Sequence, residues 1–108
     1  MKIIATETHI EIIELDDFNN FHVEAYGDVN QVIENFIQAK AGLVINQEYA
    51  ELSLDFIKQQ AGHKLQDAHW MSSLNHMLDY ALNKGWFNPV QQAIRAHIEW
   101  MTLQKSEV

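Results

Sequence analysis

The sequence predicts an α+β fold in which a short N-terminal antiparallel β-hairpin, of two or three strands, packs on a bundle of about four α-helices. β-Branched and aromatic residues are frequent in the first quarter of the chain, and apolar residues recur at helical spacing after it. With 108 residues, of which 47% are apolar and 20% charged, the chain has the size and composition of one folded domain. We expect a single domain over residues 1–108, with an acidic hairpin region at 1–27, a helical region at 28–104 and a tail at 105–108.

The N-terminal region has the alternation and the turn residues of a β-hairpin. Lys2–Leu15 and Phe21–Tyr26 are the expected arms, because Asp16–Asn20 between them have turn chemistry. Glu7, His9 and Glu11 alternate with Thr8, Ile10 and Ile12, so the face with the carboxylates and the imidazole should point outward. Whether the first arm is one bent strand or two short ones is left open.

Two helices are predicted next. Asp28 has the character of an N-cap, with a glutamine three residues later to complete a capping box, and Gly42 is the expected C-cap. The second helix should begin near Asn46 and end at Gly62. The segment Leu43–Ile45 between them is too apolar for a free loop, so we expect it to lie under a helix.

The third predicted helix, Leu65–Lys84 followed by Gly85, is the longest and the most clearly two-sided. Its apolar face comprises Trp70, Met71, Leu74, Met77, Leu78, Ala81 and Leu82. A fourth helix is predicted to start at Pro89, because proline is well tolerated at the first helical position. Its inward-facing residues would be Val90, Ile94, Ile98 and Met101.

The net charge of −8 is concentrated near the N-terminus, where the first 34 residues hold eight acids against Lys2 alone. Such a field attracts basic partners and repels phosphate backbones, so direct nucleic-acid binding is disfavoured. Our first interpretation is a non-enzymatic interaction module that binds a basic protein surface, as an inhibitor, immunity or anti-defence protein does. The expected partner-binding residues are Glu7, Glu11, Glu14, Asp16, Asp17 and Glu24. The same acids would also protect an exposed sheet edge from pairing with other chains.

A second interpretation concerns a polar stripe on the third helix, formed by His69, Ser73, His76 and Tyr80. If another element covers this stripe, it would make a small-molecule site or a small active site, since histidine and tyrosine can exchange protons. A stripe without long charged side chains also suits burial in a symmetric homodimer, which is the third interpretation.

Several chemistries are disfavoured. The chain has no cysteine, hence no disulfide and no thiolate metal site. His69 and His76 are separated by about 10.5 Å of helical rise, too far to share one metal ion. The triplets His22-Val23-Glu24 and His97-Ile98-Glu99 lack the cysteine motif of zinc deaminases, and His97 is expected to be a structural histidine. We therefore expect no catalytic residue, no metal and no cofactor. Whether two carboxylates distant in the chain meet as a catalytic pair is left open.

The remaining expectations concern location and the tryptophans. No apolar run approaches the roughly 20 residues that span a bilayer, and the N-terminus does not resemble a signal peptide. We expect a cytoplasmic protein without a membrane segment. Among the three tryptophans, Trp86 and Trp100 are better candidates for an interface than Trp70, which falls in the expected core.

Overall fold

The structure is a computed structural model that describes residues 1–101, and within them it has a seven-stranded mixed β-sheet and three α-helices. The strands are β1 (Lys2–Ala5), β2 (Ile10–Ile13), β3 (His22–Ala25), β4 (Gly42–Val44), β5 (Tyr49–Ser53), β6 (Phe87–Asn88) and β7 (Ala93–Trp100). The helices are α1 (Val29–Gln38), α2 (Leu54–Ala61) and α3 (Ala68–Lys84), with a 3-10 helix at Gly62–Gln66. The prediction of a short hairpin on a four-helix bundle is therefore wrong.

The strand order is β2-β1-β3-β7-β5-β4, and β6 pairs with the start of β7. Strands β1, β3 and β7 run parallel, and the other pairs are antiparallel. Because β5 pairs with β7 along one edge, β3 and β6 must share its other edge. Strand β7 is thus the centre of the sheet.

The N-terminal arm forms two short strands, which answers the question left open by its sequence. The chain turns at Thr6, whose hydroxyl accepts a hydrogen bond from the amide of His9 at 2.9 Å. Strand β3, by contrast, pairs with β1 in parallel, so the antiparallel pairing predicted across Asp16–Asn20 is wrong. That segment instead carries the chain past the start of β1.

Helix α1 begins as predicted, with the side chain of Asp28 accepting from the amide of Gln31 at 3.1 Å. Its predicted end at Gly42 is wrong, since the helix stops at Gln38 and Gly42 opens β4. Gly42 has φ of +145°, and a Cβ atom there would collide with the backbone carbonyl of Glu51. Glycine therefore permits the close approach of β4 and β5. Leu43 of β4 is exposed and does not lie under a helix.

The second predicted helix is a strand followed by a shorter helix. In β5, Ala50 and Leu52 are buried while Tyr49 and Glu51 lie on the opposite face, which is the period-two pattern of a strand. Ser53 then caps α2 by accepting from the amide of Phe56 at 3.4 Å. The expectation of a helix from Asn46 was therefore wrong over its first half.

The fourth predicted helix is strand β7. Ile94 and Ile98 are four residues apart, a spacing that suits one helical face and also one face of a strand. The residues between them decide the matter, because Ala96 is buried while Arg95 and His97 are exposed. Pro89 lies in the turn before the strand, where the Asn88 side chain accepts from two backbone amides.

Helix α3 matches its prediction most closely. Asp67 is the N-cap, accepting from two amides at 2.9 and 3.2 Å, and Gly85 ends the helix in the left-handed conformation. Trp70 and Leu74 are buried as expected, whereas Leu82 is 48% exposed and lies outside the core.

One core holds the fold together. The inward residues of the strands pack with the buried faces of the helices; the largest fully buried side chains are Phe36, Met1, Ile3, Leu52, Ile57 and Leu74. The other face of the sheet presents polar residues at the alternate strand positions. Among residues 1–101, no helix has the length and apolar character needed to cross a membrane. The predicted tail at 105–108 lies outside the described residues.

Candidate functional site

The central strand β7 has an opening along one edge. Its pairing with β6 ends at Ile94 and its pairing with β3 begins at Ile98. Between these two pairings, no described strand pairs with Arg95–His97 along that edge. The Arg95 amide does donate to the carbonyl of Trp86 at 2.7 Å, but Trp86 lies just before β6. The sheet therefore has a window beside α3.

A cavity of about 450 Å³ lies at this window. Its walls come from the segment 18–21 before β3, from α3, from Trp86, and from strands β5 and β7. The walls are largely aromatic, and the rings belong to Phe18, Phe21, Tyr49, Tyr80 and Trp86. Its polar side chains are Asn19, Arg95 and His97.

A second cavity, of about 510 Å³, lies beside the first along α3. The two share four lining residues, namely Phe18, Asn19, Met77 and Tyr80. The second adds Ser73 and His76, whose side chains bring a hydroxyl and an imidazole. We call the two cavities together the aromatic groove.

The groove contains most of the polar stripe predicted on the third helix. Ser73, His76 and Tyr80 line it, whereas His69 is exposed one turn earlier and lies outside it. Phe18 and Asn19 line the same cavity, but His76 and Tyr80 stay exposed, so the cover that the stripe required is only partial. The sequence therefore indicated three of the residues that this groove brings together.

The end of α3 positions Trp86. Gly85 adopts φ of +79°, and the amide of Trp86 donates to the carbonyl of Ala81 at 2.7 Å. This reverses the chain so that the Trp86 ring meets Tyr80 edge to face, with ring centroids 6.1 Å apart. Trp86 is 43% exposed and Tyr80 is 58% exposed, so both rings have surface left for a ligand.

The opposite wall is held by the turn at Asp17. Its carboxylate accepts from the Asn19 amide at 3.1 Å and from the Asn20 side chain at 2.7 Å, and these bonds lower the pKa of Asp17, that from Asn20 most. The indole N–H of Trp70 donates to the carbonyl of Leu15 at 3.0 Å, which ties the segment to α3. Trp70 is thus in the core, as predicted.

Strand β7 supplies the floor of the groove. The Arg95 guanidinium lies over the Tyr49 ring at 5.6 Å from its centroid, and the His97 ring meets the same tyrosine at 5.9 Å. His97 is exposed, so its assignment as a structural histidine of a helix was wrong. Arg95, His97 and Tyr49 were missed by sequence reasoning. The alternation of polar and apolar residues from Ala93 to Glu99 was the signal that could have found the first two.

No family model, curated protein or solved structure matches this chain, so a function can be inferred only from its own residues.

The acids predicted to bind a partner are divided between internal contacts and exposed positions. Asp16 pairs with Lys64 at 3.0 Å, and Glu7 accepts from the backbone amide of Asp28 at 2.6 Å. Glu11 faces His9 at 3.5 Å on the edge strand β2, and both are exposed. The remaining three are exposed Glu14, Asp17 in its turn, and Glu24 in an ion-pair network.

The Glu24 network lies on the polar face of the sheet, where its side chains are partly buried. Glu24 contacts His22 Nε2 at 3.0 Å, Lys2 Nζ at 3.5 Å and the Tyr26 hydroxyl at 3.0 Å. The bond from His22 is the main reason that the pKa of Glu24 is lowered, while acceptance by Glu24 raises the pKa of Tyr26. Glu24 also lies beside Glu99, because β3 and β7 pair in parallel with these two residues in register.

His22, Glu24 and Glu99 bring ligand-type atoms within 4.8 Å of one another, in a set that could hold a metal ion. This places parts of the two H-x-E triplets side by side on neighbouring strands. Lys2 and His22 already contact the carboxylate of Glu24, so ion pairing accounts for the arrangement. We assign this cluster to the stability of the sheet.

Proposed function

We propose that the protein binds a small organic molecule in the aromatic groove. The observation that carries the proposal is the pair of adjoining cavities, about 450 and 510 Å³, that share Phe18, Asn19, Met77 and Tyr80. Sites for small molecules are concave, mostly apolar and commonly 300 to 1,000 Å³ in volume, with a few polar groups that orient the ligand. The groove has this composition.

The exposed rings support the proposal further. Tyr80 and Trp86 form an edge-to-face pair that leaves about half of each side chain open to solvent. A flat ligand inserted against them would bury aromatic surface, which is a large source of binding free energy. We therefore expect the ligand to carry an aromatic or conjugated ring.

The polar groups of the groove favour binding over catalysis. Among the side chains that the structure describes, Ser73 and Tyr80 donate no hydrogen bond to a histidine, so the groove holds no paired nucleophile and base. Ser73, His76 and Asn19 are instead placed to orient a ligand through hydrogen bonds.

The test is a titration with the neutral dye N-phenyl-1-naphthylamine, followed by dye fluorescence and tryptophan quenching. We expect saturable binding of one dye molecule, and a loss of affinity of about tenfold in Trp86→Ala and in Tyr80→Ala. Leu82→Ala is the matched control, because Leu82 is exposed on the same helix but does not line the groove. Absent or unsaturable binding, or equal losses in the control, would remove the groove as a site.

A second candidate function is docking of the acidic edge on a basic protein surface. It is supported by exposed Glu11 on the edge strand β2, by exposed Glu14 directly after it and by exposed Glu7 in the turn before it. An acidic patch accelerates association with a basic partner in a salt-dependent way. With a basic partner purified from the host, Glu11→Lys combined with Glu14→Lys should slow association steeply at low salt. An unchanged association rate would exclude this surface.

A further inference from the structure

The charges around the aromatic groove differ in sign from those of the whole protein. The chain has 15 Asp and Glu residues against 7 Lys and Arg. Among residues 1–101, however, no Asp or Glu lines either cavity, whereas the cationic Arg95 does, together with the imidazoles of His76 and His97. Lys84 adds a further positive charge at the rim, where its Nζ lies 5.5 Å from the centroid of the Tyr80 ring.

Arg95 is the group best placed to meet a ligand. The acid directly opposite it in the sheet is Glu51, yet the two form no ion pair within the described part of the chain, and the guanidinium lies over the Tyr49 ring. Stacking on an aromatic ring holds the guanidinium plane while leaving its N–H donors at the edge free. These donors match the two oxygens of a carboxylate or sulfonate.

The negative charge of the whole protein does not cancel this local preference. Exposed charges are screened beyond about 8 Å at physiological ionic strength. The six acids of the N-terminal region that we assigned to partner binding do not line the groove. A ligand inside it would therefore experience mainly the charges of its own walls, together with that of Glu51, which lies opposite Arg95.

We infer that the ligand of the aromatic groove is a small aromatic organic anion, with its ring against Tyr80 and Trp86 and its anionic group on Arg95. The inference rests on the proposed function, since it names the ligand class of the same groove. His97 lies beside the same Tyr49 ring and supplies a second donor near the anionic group.

The test compares two dyes that differ by one anionic group: 8-anilinonaphthalene-1-sulfonate and the neutral N-phenyl-1-naphthylamine. We expect Arg95→Gln to weaken binding of the anionic dye at least tenfold more than binding of the neutral dye, because only the anionic dye loses a charge-assisted hydrogen bond. Arg95→Lys keeps the charge but loses the planar fork, so its affinity for the anionic dye should lie between those of wild type and Arg95→Gln. Lys58→Gln is the control, because it removes the same charge from α2, outside the groove.

Displacement of the anionic dye by 1-naphthylacetate and by its neutral amide then asks whether a carboxylate is accepted as well. We expect the acid to compete at least tenfold better than the amide. If both dyes bind and Arg95→Gln weakens them equally or not at all, the anion inference is overturned while the groove stands as a ligand site. If neither dye binds, the proposed function fails and this inference fails with it.

Discussion

Tyr80 and Trp86 meet edge to face with ring centroids 6.1 Å apart, on the two sides of a helix end. The pair exists because Gly85 reverses the chain after α3. One glycine therefore connects the end of a helix to the wall of a cavity. Its conformation can be tested by substitution.

Gly85→Ala should destabilise the protein by about 1 kcal/mol, since a Cβ atom is disfavoured at a φ of +79°. It should also weaken dye binding, because Trp86 would be displaced. Urea unfolding and dye titration measure the two effects. Gly85→Asn is the matched variant, since asparagine tolerates the left-handed conformation, and it should restore most of both. Equal losses in the two variants would contradict the role given to backbone conformation.

Asp67 is the cap of α3, and Asp67→Ala should lower the free energy of unfolding by about 1 kcal/mol. The substitution leaves two backbone amides of the first turn without their acceptor. Asp67→Asn keeps an acceptor oxygen and should lose much less. Thermal or urea unfolding of the three proteins gives the comparison, and no difference between Ala and Asn would show that the cap contributes little.

Glu24 should make stability depend on pH in the acid range. Its pKa in the folded protein is lowered, mainly by His22, below the ordinary value of 4.5. Its ionised form therefore stabilises the fold above that ordinary value, and this contribution is lost as the pH falls through the lowered one. The stability of wild type should decline more steeply between about pH 5 and pH 3 than that of Glu24→Gln.

The measurement is urea unfolding at a series of pH values. Glu34→Gln on α1 is the control, because Glu34 is exposed and takes no part in the network. Its stability curve should run parallel to that of wild type. A Glu24→Gln curve that also runs parallel to wild type would mean that the ion pairs around Glu24 contribute nothing to folding.

The substitution Ala96→Asp tests whether this segment forms strand β7 or the helix that its sequence predicts. In β7 the Ala96 side chain is buried, at 2% exposure, so a carboxylate would lose its hydration and cost at least about 3 kcal/mol. On the predicted helix the same position would face solvent. His97→Asp, at the exposed neighbouring position, is the control and should be tolerated. Circular dichroism and urea unfolding decide; a tolerated Ala96→Asp would contradict the register of β7.

The parts of the fold that could be predicted are those that local signals determine. Asp28 starts α1 because its side chain reaches an amide of the same helix, and Gly85 ends α3 because few other residues adopt its conformation. Neither signal depends on residues far away in the chain. Both predictions were confirmed.

Strands β5 and β7 could not be predicted in the same way. Ile94 and Ile98 fit one face of a helix as well as one face of a strand, and the proline before them also suited a helix start. What makes β7 a strand is its pairing with β3 and β5, which begin 71 and 44 residues earlier. A non-local contact of this kind leaves little trace in a short stretch of sequence.

The candidate site shows the same division. Ser73, His76 and Tyr80 could be predicted as a group, because helical spacing alone brings them to one face. Arg95 and His97 come to the groove through the sheet, and were therefore missed. The acids near the N-terminus were predicted to form one surface, but Asp16 and Asp17 are engaged within the chain, in an ion pair and in a turn.

The window in the edge of β7 also bears on how a ligand would arrive. The strand is held by β6 before the window, by β3 after it and by β5 along the opposite edge, so the width of the opening is set by backbone pairing. A ligand would enter a preformed groove, so its binding would order little of the protein. The association rate of a ligand should then be limited by diffusion into the groove. Different ligands should differ mainly in their dissociation rates.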